Sequence, residues 1–287
     1  VGELLKREGL VAKKKRRARP ARFESELGGY YGPNAMWCAD YKGEFRTQNA
    51  KRCYPLTISD GYSRALLRCQ GLISTNYPDA KKVFDGAFRE FGLPDAIRTD
   101  NGSPFSSVSG LSQLSVWWVL LGIHPVRIQP GKPTQNGRHE RIHKTLKEDV
   151  LRDGAQKNLR AQQRAFDRFL HTYNQERPHE SLGNDTPACR YSPSLKRYPT
   201  KLREPEYASS TEVVRLNKHG ELLWRHRRYP ISALSAGQPV GIVSHDSMPP
   251  RLFFGSLLLG YFPPARGFKR GSPLPARPKP PIFTEYP

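Results

Sequence analysis

"MWCADYKGEFRTQNAKRCYPLTISDGYSRALLRC", residues 36–69, decides the fold. "MWCADYKGEF" reads as a first strand. "CYPLTISD" alternates Leu56 and Ile58 with Thr57 and Ser59, the period of a strand with two different faces. "DGYS" is turn chemistry, and "RALLRC" runs back. Three successive strands joined by short turns make an antiparallel meander. Asp40 stands inside the first of them, where strand propensity disfavours it.

Downstream the period changes. "DAKKVFDGAFREFG" sets Val83, Phe84, Ala87, Phe88 and Phe91 on a helical stripe, with Asp79 as the expected cap and Gly92 as the stop. "DAIRTD" reads as a short strand, closed by the Asn101-Gly102 turn. "LSQLSVWWVLLG" repeats apolar residues at Leu111, Leu114, Trp118 and Leu121, a buried helix. "IHPVRIQPGKPTQ" is a short strand followed by a Pro/Gly loop. A helix is expected from about 135 to 152, with Ile142, Leu146 and Val150 on its core face and Glu140, His143 and Lys147 on a neighbouring one. A further helix carries Phe166, Phe169, Leu170 and Tyr173 and stops at "ERPHESLG". This order predicts a mixed α/β sheet covered by helices.

Residues 190–206 are rich in Pro, Lys and Arg and read as a linker. After it come only short strands: "TEVVRLN", "ELLWRHRRYPI", "QPVGIVS" and "RLFFGSLLLGYF", with "NKHG" as a hairpin turn. That predicts a small all-β barrel or sandwich. The expected organisation is a basic arm at 1–29, a core at 30–190, a linker at 191–206, a β-barrel domain at 207–265 and a Pro/Arg-rich tail at 266–287.

The charge narrows the partner. The chain has 287 residues, with 47 Lys plus Arg against 26 Asp plus Glu, a formal net charge of +21. Such an excess suits a polyanion, because cations that neutralise phosphates release counterions. The run Lys13, Lys14, Lys15, Arg16 and Arg17 reads as a phosphate-binding arm or a solvated tail. No run approaches the ~18 consecutive apolar residues of a membrane helix, and no secretory signal is visible. Cys38, Cys53, Cys69 and Cys189 form no C-x-x-C pair, and a chain of this size needs no staples. Reduced thiols and a cytoplasmic, nucleoid-associated protein are expected.

Three acids stand at element edges. Asp40 is mid-strand, Asp100 ends the "DAIRTD" strand, and Glu140 opens its helix. Each has an ordinary explanation: solvent exposure, D-N-G turn chemistry and a helix N-terminus, respectively. Together they are a donor set for two hard Mg²⁺ ions, with Mn²⁺ as a substitute, a pair that stabilises attacking and leaving oxygens at phosphorus.

At these residues the chain resembles a family. "WCADYKGEF", "IRTDNGSPF", "PTQNGRHERIHKTLKEDV" and "YNQERPHESLG" are similar, in order, to the integrase core of bacterial insertion-sequence transposases. Those belong to the retroviral-integrase superfamily. The resemblance implies an RNase H-like five-stranded mixed sheet with helices on both faces and a catalytic Asp-Asp-Glu triad at Asp40, Asp100 and Glu140. It implies that Asp40 bridges two Mg²⁺ ions while Asp100 and Glu140 each complete one site. It also implies DNA contacts from Lys144 and Lys147, to which Arg138, Arg141 and His143 on the same helix are added. Residues 1–20 resemble the exit of a helix-turn-helix region. Two departures stand out. The interval between Asp100 and Glu140 is a few residues longer than the family's, which fits an insertion around "SSVSGLSQ". No paired His and Cys precede the core, so no structural zinc is expected.

His139-Glu140-Arg141-Ile142-His143 also matches the H-E-x-x-H of zinc proteases. Arg138, Arg141, Lys144 and Lys147 crowd it with positive charge, which opposes a Zn²⁺ ion. The expected function is therefore a DNA transposase acting on double-stranded DNA as at least a dimer. A catalytically silent DNA-binding regulator is the first rival and a zinc protease the second.

Overall fold

The computed structural model describes residues 31–106, 110–128, 137–245, 248–264 and 267–271, without the side chain of Arg138. The meander is present as β1 (Trp37–Tyr41), β2 (Phe45–Arg46), β3 (Arg52–Asp60) and β4 (Leu66–Leu72). The expected first strand is two. Gly43 takes a φ of +96° and the chain bends there, so the two residues of β2 pair separately with β3. β5 (Ala96–Thr99) and β6 (His124–Arg127) complete a sheet of six strands, not the five expected.

β1 pairs antiparallel with β3, and β3 with β4, whereas β5 lies parallel to β1 and β6 parallel to β5. Parallel neighbours need long crossovers. These are supplied by α1 (Tyr77–Phe91) and α2 (Gln113–Leu120). Asn76, not Asp79, caps α1: its side chain accepts from the Asp79 N–H, and Asp79 sits in the first turn. The stop is Gly92 as expected, at a φ of +75°, and a Cβ there would meet the Ser194 carbonyl at 2.6 Å. Ser112 and Ser115 form a reciprocal capping box on α2.

The strand period divides the sheet into two faces. Trp37, Ala39, Leu56, Ile58 and Leu67 pack under α1 and α2 against Phe84, Phe88, Leu114 and Trp118. Each large side chain buried there contributes about 1.5–3 kcal/mol. On the other face Cys53, Leu66 and Cys69 meet Ile142 and Leu146 of α3 (Gly137–Val150) and Phe166, Phe169 and Tyr173 of α4 (Leu159–Gln175). Helices thus cover both faces of a mixed α/β sheet. The four cysteines form no disulfide, and of the four Cys189, on the short α5 (Pro187–Arg190), is the exposed one.

Residues 191–203 lie along the core. Tyr191 donates its hydroxyl to Asn34 Oδ1 at 2.9 Å, and Tyr198 donates to Asp85 Oδ1 at 2.6 Å beside the Phe88 ring. The remainder is all-β: β7 (Glu212–Arg215), β8 (Glu221–Trp224), β9 (Arg227–Pro230), β10 (Pro239–His245), β11 (Met248–Phe254), β12 (Leu257–Tyr261) and β13 (Lys269–Arg270). β13, β12, β11, β10 and β7 form one sheet in that order, and β8 and β9 form a separate pair. Among the described residues no ladder joins β7 to β13.

Two expected single strands are hairpins. "ELLWRHRRYPI" turns at Arg225-His226 and "RLFFGSLLLGYF" turns at Gly255-Ser256. "NKHG" is a turn, but the strands on either side of it pair elsewhere. Gly220, at a φ of +73°, lets the turn pack on the Ser232 carbonyl, where a Cβ would stand 1.9 Å away. Leu222, Trp224, Val240, Ile242, Leu252 and Phe254 form the core of this region and share it with Leu111 and with Val119 of α2. At the seam, His124 Nδ1 meets Ser256 Oγ at 2.6 Å. Among the described residues no helix is long and apolar enough to cross a membrane.

Candidate active site

Asp40 is on the α3–α4 side of the sheet, opposite in direction to its neighbours Ala39 and Tyr41, and is 9% exposed. β1 and β5 run in parallel with Ala39 opposite Thr99. The next residue along each chain is Asp40 or Asp100, so the two acids leave adjacent strands at the same edge of the sheet. Asp100 Oδ1 accepts the Gly102 N–H at 3.1 Å, the turn chemistry expected of D-N-G. Asn101 donates to the Ile128 carbonyl at 2.9 Å and ties this turn to the chain leaving β6.

α3 lies across the same face. Ile142 and Leu146 anchor it in the core, and Glu140, in its first turn, is exposed. A hydrogen-bonded chain links the helix to the strand that bears Asp40. Thr57 is the cross-strand partner of Asp40 and is fully buried. Its hydroxyl donates to the Asp40 carbonyl at 3.0 Å and lies 2.9 Å from His143 Nε2. A hydroxyl has one proton, so Thr57 accepts from His143, and the network assigns the proton of that imidazole to Nε2.

His143 therefore faces inward. Burial, then His139 and Lys42, push its pKa down to about 3. His139 is 1% exposed and lies edge-on to His143 with ring centroids 5.4 Å apart. Burial lowers its pKa to about 4, against an opposing hydrogen bond with the Thr57 backbone. Both rings are thus neutral at pH 7 and packed under the helix, while Glu140 is on the outside. The H-E-x-x-H residues do not converge on one point. Among the described residues no group of three His, Cys, Asp or Glu is drawn close enough to hold a metal ion.

Arg141, Lys144 and Lys147 are exposed on α3. Lys144 has only a 3.7 Å approach to Glu148. Lys13, Lys14, Lys15, Arg16 and Arg17 lie outside the described residues, as does the side chain of Arg138. Thr57 and the inward histidines were not singled out in the sequence as a linked group. A threonine alternating with Leu56 and Ile58 looks like any polar strand position, and only the pairing of β1 with β3 sets it against Asp40.

Comparison with known proteins places this core. The integrase core domain matches in two overlapping pieces, residues 31–133 and 121–187. A 39.2 kDa protein of insertion element IS476 from Xanthomonas euvesicatoria is 29% identical over 178 residues, 62% of this chain and 50% of that protein. A 31.7 kDa protein of insertion element IS407 from Burkholderia multivorans is 26% identical over 186 residues, 64% of this chain and 65% of that protein. The alignments span between half and two thirds of the length of these relatives. The HTLV-2 integrase catalytic core domain, in a structure with magnesium, superposes with a TM-score of 0.45 at 20% identity, covering 56% of this chain and 98% of that one. Through residues 31–187 the chain belongs to the integrase-core proteins of the retroviral-integrase superfamily, in company with those of bacterial insertion elements.

Proposed function

We propose that the protein is a polynucleotidyl transferase that cuts a phosphodiester at the end of a mobile element and joins the freed 3′-hydroxyl to target DNA. The observation that carries this reading is the position of Asp40 and Asp100 at one edge of two parallel strands, on the face that α3 and Glu140 cover. The three carboxylates offer only oxygen donors, which is the preference of a hard ion such as Mg²⁺. Asp40, Asp100 and Glu140 would hold two such ions, which when bound would offset the charge that builds on the attacking and leaving oxygens.

The chain's own part is positioning. The interlocked Thr57 and His143 keep α3 in register with β1, so the acid on the helix and the acid on the strand hold their places while the DNA end enters. Arg141, Lys144 and Lys147, exposed on the same helix as Glu140, would neutralise backbone phosphates. Such an enzyme needs no protein nucleophile, since water and then the DNA 3′-hydroxyl attack. Both DNA ends must be processed together, so the working form is at least a dimer. The test is cleavage and joining of labelled element-end duplex, with Mg²⁺, with Mn²⁺ and with neither. Activity confined to the metal-containing reactions supports the reading. Duplex binding with no cleavage under any of them would identify a silent regulator instead.

A further inference from the structure

A groove of about 560 Å³ lies where three parts of the molecule meet. It is lined by α1 and α2 of the core, by residues 198–202, and by the short turn Ala233–Ser235 of the β region. Its aromatic residues are Tyr77, Trp117 and Tyr198, and its aliphatic ones include Leu120, Leu202 and Leu234. The Trp117 and Tyr198 rings stand 84° apart with centroids at 6.5 Å, and the Lys81 ammonium lies 4.7 Å from the Trp117 centroid. Leu202 is 50% exposed and Leu234 40%, so apolar surface is left open to water beside the rings. Aromatic-lined grooves of this kind take up proline-rich chains in the polyproline II form.

The chain carries such a segment. Residues 272–287 read "SPLPARPKPPIFTEYP" and lie outside the described residues. Pro275, Pro278 and Pro281 recur at every third residue, the period that sets them on one edge of a polyproline II helix. Proline presets its own φ, so little conformational freedom is left to lose on docking. The segment also starts near the groove. It follows β13 and Gly271, and the Arg270 guanidinium donates to the Ile231 carbonyl at 2.7 Å, two residues before Ala233 of the lining. At ~3.1 Å per residue it reaches up to ~50 Å, several times the breadth of a groove of that volume.

We propose that residues 272–287 dock in this groove on their own chain, with Pro275, Pro278 and Pro281 against Tyr77, Trp117 and Tyr198. The docked segment ties the core, the linker and the β region together. The contact is apolar and independent of the chemistry proposed for the core.

The test uses the full chain labelled with fluorotryptophan. The fluorine signals of Trp37, Trp117, Trp118 and Trp224 are assigned by single Trp→Phe variants. The probe is a synthetic peptide of residues 272–287. Pro275→Ala, Pro278→Ala and Pro281→Ala together should move the Trp117 signal and leave those of Trp37 and Trp224 in place. Added peptide should return the Trp117 signal to its parent position, and Leu234→Glu in the same triple variant should abolish that return. The parent chain should bind the peptide at least tenfold more weakly than the triple variant, because a tethered copy at roughly millimolar effective concentration already fills the groove. A Trp117 signal that is the same in parent and triple variant, and unmoved by the peptide, overturns the proposal. Equal binding of the peptide by both chains also overturns it, since the groove then stands open. A parent signal that moves to the triple-variant position on dilution would make the occupant the tail of a second copy, and overturns docking on the same chain.

Discussion

The two faces of the central sheet are built from the same strands and do different work. Under α1 and α2 the strands present Trp37, Ala39, Leu56 and Ile58, and the helices answer with Phe84, Phe88 and Trp118, whose rings pack at 5.0–6.5 Å. Under α3 and α4 the alternate positions of the same strands present Asp40, Thr57 and Ser59, and the helices answer with His139, His143 and Gln162, all buried or half-buried. A polar group in a core costs stability unless it is bonded. Among the described residues His139 Nε2 and Gln162 Nε2 have no hydrogen-bond partner. One face is therefore optimised for cohesion, and the other accepts a cost to hold Asp40 beside the helix that carries Glu140.

The largest effects should separate the faces most cleanly. Asp40→Asn, Asp100→Asn and Glu140→Gln should each lower strand joining by roughly 10³-fold or more, comparable with the loss of a principal charge-stabilising group. Salt-dependent duplex binding should persist in all three. Near-normal joining by any one of them would remove that residue from the site. On the apolar face the converse is expected. Phe88→Ala should cost about 3–5 kcal/mol in urea unfolding and leave the specific activity of the folded fraction unchanged. A loss of joining in that folded fraction would mean that the faces are not separate in function.

Thr57 tests the seam between cohesion and chemistry. Thr57→Val keeps the shape and removes the hydroxyl, and with it the side-chain bond to the Asp40 carbonyl and the acceptor of His143 Nε2, at a cost of about 1–3 kcal/mol. Joining at saturating Mg²⁺ should fall about tenfold, equivalent to ~1.4 kcal/mol of transition-state stabilisation, with duplex affinity unchanged. Thr57→Ser should restore it. If Val and Ser behave alike, the hydroxyl chain has no positioning role.

The smallest effect at neutral pH, one that grows only as acid is added, is that of histidine protonation. His124 at the seam with the β region is held down to about 4 by burial, below its ordinary value near 6.5. A histidine depressed by folding binds its proton more readily in the unfolded chain. Its contribution is therefore fully present above pH ~6.5 and is lost as pH falls toward 4, by up to about 1.4 kcal/mol per pH unit. His139 and His143 add their own acid sensitivity on the polar face. His124→Asn should flatten the acid limb of a stability–pH curve and leave the part that belongs to the α3 face. An unchanged limb would place all of the acid sensitivity on that face.

Local chemistry was legible wherever one element decides its own form. The alternation of Leu56 and Ile58 with Thr57 and Ser59, the stripe Val83–Phe84–Ala87–Phe88 and the stop at Gly92 all read correctly, because period and backbone freedom are properties of short segments. The four core motifs placed the chain in its family for the same reason. The hairpin at Arg225-His226 was not legible: nothing in that dipeptide announces a left-handed turn, and it is imposed by the pairing of Leu222 with Tyr229 and of Trp224 with Arg227. The motif singled out Asp40 rather than Asp60, and packing gives the physical difference between these two aspartates of β1 and β3. Asp60 is buried and spent on the N–H groups of Asn34 and Ser63 and the Ser63 hydroxyl, whereas Asp40 stands beside the end of β5 that leads into Asp100. Which face a side chain points to is set by its own strand; what it meets there is set by residues far away in the chain. That is why Asp40 could be named as a candidate from the sequence, while its link through Thr57 to His143 exists only once β3 and α3 have packed around it.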